Sequence, residues 1–280
     1  MAQRSATRIR FADLVQRPEE AIPLDEAALC IACEDQQGGD PSAGLQQLDG
    51  LAEALRPRLR CVAHDPRRIV AALNGFFFGE LGFCGNYAEY GDPINSFLDR
   101  VIERRTGLPI TLSVIYIEVA RRLGLPVAGV ALPGHFITCY RALNEQIFVD
   151  PFNSGRIWSL EECRRHISRT HPNPSVELVA QLLAPPPRRA ILARILRNLK
   201  HTYIDRGEIE LALAAVERVM LLDTDPVEWR DRGLLRLRLG QNHTALFDLD
   251  MYARRAQQAE DLERVGVLMH ALAGRVVGQS

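Results

Sequence analysis

The sequence predicts an α+β domain over residues 1–184, followed by an all-α region over residues 188–280. Three observations carry that division. PITLSVIYIEVARRLG, from Pro109, is apolar at helical spacing, and three short β-branched and aromatic runs follow it: VAGVAL, HFITCY and QIFVD. A change of period from helix to strand inside one segment describes a buried helix packed on a small antiparallel sheet. The proline run Pro185 to Pro187 then interrupts the chain. Beyond it, GEIELAL at Gly207 and GQNHTAL at Gly240 match at an offset of 33 residues, superposing Ala212 on Ala245 and Leu213 on Leu246. That offset is close to the tetratricopeptide period of about 34 residues, in which small residues let paired helices approach.

Taken in order, residues 24–35 and 43–56 read as short helices separated by the Gly/Pro-rich QQGGDPSAG, and DPRRIVAALNGFFFGELG reads as a third helix ended by glycine. FCGNYAEYGDPINSF fits no regular element. A loop so rich in amides and hydroxyls often builds a site, and equally often satisfies its own backbone. SFLDRVIERRTG is a helix stopped at Gly107, where Arg105 is expected to pair with Asp92, Asp99 or Glu103. Pro109 opens the next helix and Gly124 ends it. From Ile110 to Ala120 it is apolar on nearly every face, broken mainly by Thr111, Ser113, Tyr116 and Glu118. Such a helix belongs in the centre of a domain.

Composition narrows the classes of function. Of 280 residues, 47% are hydrophobic and 25% charged, enough to bury a sizeable core. A formal net charge of −1 argues against nucleic acid as a partner. No segment approaches the about 18 apolar residues of a membrane span, and the first residues have no apolar core of a secretory signal. The expectation is a cytoplasmic protein with reduced Cys30, Cys33, Cys61, Cys84, Cys139 and Cys163. Cys30 and Cys33 form a CxxC, but inside an amphipathic helix and without a second pair, so no metal and no cofactor are expected.

Chemistry concentrates in LPGHFITCY, Leu132 to Tyr140, and IFVDPFNSG, Ile147 to Gly155. Joined as a hairpin through a four-residue loop, Arg141 to Asn144, the two strands place His135 directly opposite Asp150. A carboxylate on one ring nitrogen fixes the tautomer a general base requires. The plain alternative is a polar pair that closes the end of a sheet.

The block from Leu81 to Gly155, with GN, NS, GLP and DPFN in that order, resembles the bacterial SirB family, a transglutaminase-like domain with a C-terminal tetratricopeptide region; the similarity runs from about Leu24 to the C-terminus. The resemblance implies a papain-like arrangement, in which a nucleophilic cysteine opens the buried helix and histidine and aspartate lie on neighbouring strands. Here Pro109 to Thr111, the expected place of the thiol, contains no cysteine. Thr111 and Ser113 are the alcohols at hand for a variant triad with His135 and Asp150, though each can instead bond a helix carbonyl. Cys84 is a thiol on another element. Asn86, Asn95 and Asn153 are candidates to line a pocket and donate to a substrate carbonyl, or to cap loops.

Three readings follow. One is a non-catalytic binding or regulatory protein that has lost its cysteine and binds a protein partner through the C-terminal helices. Another is a hydrolase or acyltransferase using Ser113 or Thr111 with His135 and Asp150. The third is a purely structural scaffold in which the His–Asp pair is a relic.

Overall fold

The structure, a computed structural model, describes residues 2–35, 40–60, 62, 65–143 and 145–277; Cys61, Asn144 and the whole QQGG run, residues 36–39, lie outside them. The chain divides into two compact units, residues 1–191 and 192–280.

The first unit begins with helices α1 (Ala2–Val15), α2 (Leu24–Asp35), α3 (Pro41–Leu59) and α4 (Pro66–Asn74). Asp40 and Asp65 cap α3 and α4, accepting from Ser42 N at 3.0 Å and Arg67 N at 2.9 Å, with proline at the first helical position. The GFFFGE segment expected to continue α4 as an ordinary helix instead widens into a π-helical turn, Gly75–Glu80. Two short strands, β1 (Cys84–Gly85) and β2 (Thr106–Gly107), pair in parallel, with helix α5 (Leu98–Arg104) between them in sequence. Arg105 departs from expectation. It takes a left-handed conformation at the end of α5 (φ 58°) and donates to the Leu81 carbonyl at 2.9 Å, while its neighbour Arg104 makes the ion pair with Asp92.

Helix α6 (Pro109–Arg122) is central, as its pattern requires: every residue from Pro109 to Ala120 is buried. It packs against α2, α3 and α5 and against the main sheet. That sheet is an antiparallel meander of β3 (Val127–Leu132), β4 (His135–Arg141), β5 (Gln146–Asp150) and β6 (Arg156–Trp158). Its faces divide by alternation. Phe136 lies on the α6 side, against Gly129, where an added Cβ would come within 2.7 Å of the Phe136 ring and 3.6 Å of Ile117. Val130, Leu132, Ile137, Cys139 and Phe148 form the other face, closed by Cys163 and Ile167 of α7 (Leu160–Ile167) and by Val179 and Leu183 of α8 (Val176–Leu183).

The β4–β5 register differs from the expected one. Tyr140 faces Ile147 and Arg141 faces Gln146, so the loop is Ala142 to Glu145 and His135 is not directly opposite Asp150. The Ala142 N–H bonds the Glu145 carbonyl at 2.9 Å, which closes the loop one residue later than spacing alone suggests. Because the pairing slips by an even number, both side chains keep the same face and become diagonal neighbours, still within reach.

In the second unit, α9 (Arg188–Asp205), whose first residues belong to the first unit, is followed by α10 (Ile209–Val219), α11 (Pro226–Arg238), α12 (Asn242–Arg255) and α13 (Leu262–Val277). The 33-residue repeat is structural. Gly207 and Gly240 end α9 and α11 at φ 74° and 73°, and the residue after each donates back to the helix, Glu208 to Tyr203 O and Gln241 to Arg236 O. Ala212 of α10 and Ala245 of α12, equivalent positions of the repeat, are fully buried. Among the described residues no helix is long and apolar enough to cross a membrane.

Candidate functional site

Each residue of the His–Asp pair sits beside a tight turn. Pro133 and Gly134 (φ 68°) fold β3 back onto β4, leaving His135 as the first residue of its strand, paired with Leu132. Asp150 ends β5 and organises the DPFNSG turn: its Oδ1 accepts from the Phe152 N–H at 3.1 Å and the Asn153 N–H at 3.2 Å. Ser154 and Gly155 complete the reversal at φ 52° and 76°. Gly155 cannot bear a side chain, because a Cβ there would lie 2.3 Å from the Phe78 ring; its carbonyl accepts from Asn74 Nδ2 at 2.8 Å.

The second carboxylate oxygen makes the site. Asp150 Oδ2 accepts from His135 Nε2 at 2.8 Å and from Asn153 Nδ2 at 2.6 Å. A carboxylate only accepts, so Nε2 carries the proton, and in the neutral ring Nδ1 is the basic nitrogen. Asp150 is fully buried. Burial pushes its carboxyl up, but the bond and charge of His135 and the two bonds from Asn153 outweigh it, so the group lies below the ordinary carboxylate range. Asn153 Oδ1 in turn accepts from the Tyr87 hydroxyl, and the Tyr87 ring lies 4.6 Å from that of Phe152.

The imidazole stands among aromatic rings on the α7 side of the sheet. Trp158 is stacked on it at 5.7 Å and 20°, and Phe152 and His166 lie at 6.2 and 6.0 Å. His166 Nε2 is 2.8 Å from the Pro133 carbonyl, which ties α7 to the turn before His135. Neither Trp158 nor His166 stood out in the sequence. The signal available was the period-2 continuation RIW after the DPFNSG turn, which places Trp158 on the same face as Phe148 and Asp150.

The expected nucleophiles are placed elsewhere. Thr111 and Ser113 are buried on α6. The Thr111 hydroxyl donates to Asn95 O at 2.7 Å and accepts from the Leu108 N–H at 3.1 Å, capping the first turn of α6. The Ser113 hydroxyl lies 2.7 Å from Pro109 O, one turn back, and 3.5 Å from Phe136 O. By alternation the His135 side chain belongs to the sheet face away from α6. Cys84 Sγ is 3.8 Å from Thr106 Oγ1, across the β1–β2 pair. Asn86 and Asn95 are brought to each other and not to the pair: Asn86 Nδ2 donates to Asn95 Oδ1 at 3.1 Å, and Asn95 Nδ2 donates to Glu89 O at 2.7 Å. Both fasten the GNYAEYGDPIN loop. Of the three asparagines only Asn153 touches the pair.

Fold and site together define a transglutaminase-like domain followed by a tetratricopeptide region. The family model described as transglutaminase-like superfamily matches residues 42–197, and the tetratricopeptide repeat model matches residues 199–270. A UPF0162 protein of Xylella fastidiosa strain Temecula1 is 39% identical, over 88% of this chain and 89% of its own. A UPF0162 protein of Pseudomonas aeruginosa is 32% identical over 73% of each, and protein SirB1 of Salmonella typhimurium is 27% identical over 73% of this chain and 76% of its own. The chain belongs to this UPF0162/SirB family of transglutaminase-like proteins.

Proposed function

We propose that this chain is a non-catalytic binding or regulatory protein: a transglutaminase-like domain that has lost its nucleophile, joined to a tetratricopeptide region that takes a protein partner. The observation that carries the reading is the fate of the two α6 hydroxyls. Thr111 donates to the Asn95 carbonyl and Ser113 lies against the Pro109 carbonyl, so neither proton is directed to a base. No cysteine stands at Pro109 to Thr111. The His135–Asp150 pair then orders the sheet end and the DPFNSG turn. For the partner, the second unit offers a groove of about 570 Å³ whose lining includes Leu234, Val265, Val267 and Leu268, with Val267 69% exposed.

The test of the first half is intact-protein mass spectrometry after a fluorophosphonate probe, on wild type and His135→Ala together. The expected result is no adduct that depends on His135. A single adduct on Ser113, Thr111 or Cys84 that vanishes in His135→Ala makes the protein an enzyme and refutes the proposal. For the second half, partner capture is expected to survive His135→Ala and to fail with Val267→Asp; the reverse pattern sinks it.

A further inference from the structure

On the α7 side of the main sheet, beside the His135 ring cluster, lies a second cavity of about 220 Å³ lined by Arg156, Trp158, Glu162, Arg165, His166 and Arg169. Three arginines and one carboxylate are in its lining. That carboxylate is already committed: Glu162 accepts from the Ser159 N–H at 2.8 Å as part of the α7 capping box, and from Arg156 at 2.6 Å. Arg165 and Arg169 have no ion pair among the described residues, and both are exposed. A basic last turn on a helix is ordinarily explained by the macrodipole. Arg156 escapes that explanation, because it comes from β6 and is brought to the same cavity by the sheet.

We infer that this cavity is an anion site and that its ligand is a phosphate ester held through its phosphoryl group. Arginines drawn from β6, from α7 and from the residues just after it supply planar forks around one cavity, which suits a tetrahedral dianion that accepts from several at once. The volume is below the roughly 300–1,000 Å³ of a site that encloses a whole small molecule. It fits a charged head group, with the rest of the ester outside. Two walls, Trp158 and His166, are also ring neighbours of His135 at 5.7 and 6.0 Å, so the site adjoins the pair. The inference goes beyond the partner-binding reading: it concerns a small ligand on the first unit and holds whether or not the second unit binds a protein.

The experiment uses the full chain with Trp229→Phe, which leaves Trp158 as the sole tryptophan. Inorganic phosphate, phenyl phosphate, acetate and chloride are titrated at constant ionic strength, following Trp158 emission and, on the same samples, heat by calorimetry. The expected result is saturable binding of phosphate, with phenyl phosphate at least as tight. Arg165→Gln/Arg169→Gln, both surface changes, should weaken it about tenfold or more with an unchanged melting temperature. Acetate or chloride equal to phosphate, undiminished binding in the double variant, or neither emission change nor heat with phosphate overturns the inference.

Discussion

Replacing Asp150 by asparagine separates the charge of the His–Asp pair from its shape. The carboxylate accepts four hydrogen bonds: Oδ1 from the Phe152 and Asn153 N–H groups, Oδ2 from His135 Nε2 and Asn153 Nδ2. The amide oxygen of an asparagine can keep the first two. Its NH₂ would then meet two donors. The imidazole can answer by moving its proton to Nδ1, and Asn153 by turning over, because the Tyr87 hydroxyl it now accepts from can itself accept. Four bonds to a charged acceptor, each contributing roughly 1.5–3 kcal/mol, become at best neutral ones of roughly 0.5–1.5. After relaxation the expected loss is about 2–4 kcal/mol. Asp150→Ala leaves the turn N–H groups without an acceptor and should cost more. The assay is urea unfolding followed by Trp158 emission in the Trp229→Phe background, since Trp158 lies on the His135 ring. The pH dependence has a definite sign. The Asp150 carboxyl is lowered in the folded chain, so its contribution is complete above the unfolded value of about 3.9 and is lost as pH falls through the folded value. The gap between wild type and Asp150→Asn should be level at neutral pH and shrink in acid. A gap under about 0.5 kcal/mol at pH 7, or one that widens in acid, refutes this account.

Three further outcomes follow from the geometry. Ser113→Ala should cost no more than about 1 kcal/mol in urea unfolding, because it removes a donor whose partner is a helix carbonyl, whereas Thr111→Val loses a cap and should cost about 1–2. Lys200, the only lysine, is buried with Glu228 at 2.9 Å and Asp231 at 2.6 Å; Lys200→Met should destabilise the second unit by about 3 kcal/mol, read by Trp229 emission, and adding Glu228→Gln should restore part of it. Burial pushes the thiols of Cys30 and Cys163 up to about 12 and that of Cys33 up to about 11, so in a native iodoacetamide time course at pH 8 Cys84, half-exposed, should label ahead of all three.

Much of this molecule is determined locally. From Ile110 to Ala120 α6 is apolar on nearly every face, which leaves it no surface to turn to water, so a central position follows from composition alone. Gly207 and Gly240 end their helices at positive φ wherever the chain places them, which is why the 33-residue repeat could be read directly. Asp150, Pro151 and Gly155 likewise encode a tight turn by their own chemistry. The strand period put His135 and Asp150 on one face, and that conclusion survived a register slipped by two because the side-chain period is itself two.

What local pattern could not decide is which groups meet. The β4–β5 register depends on where the loop closes, and that is a contact between Ala142 and Glu145. Which carbonyls the Thr111 and Ser113 hydroxyls meet is set by the packed chain, and the Asn95 carbonyl that accepts from Thr111 is 16 residues away. Arg105 lost its acid to Arg104 because a left-handed turn, invisible in charge spacing, aimed it at Leu81. Trp158, His166 and the arginines of the α7 cavity are ordinary residues in sequence; only the fold of β6 against α7 brings Trp158 and His166 to the His135 ring and lines one cavity with them and the arginines. Hydrophobic period and backbone chirality are properties of a short segment; a hydrogen bond between distant side chains is a property of the packed whole.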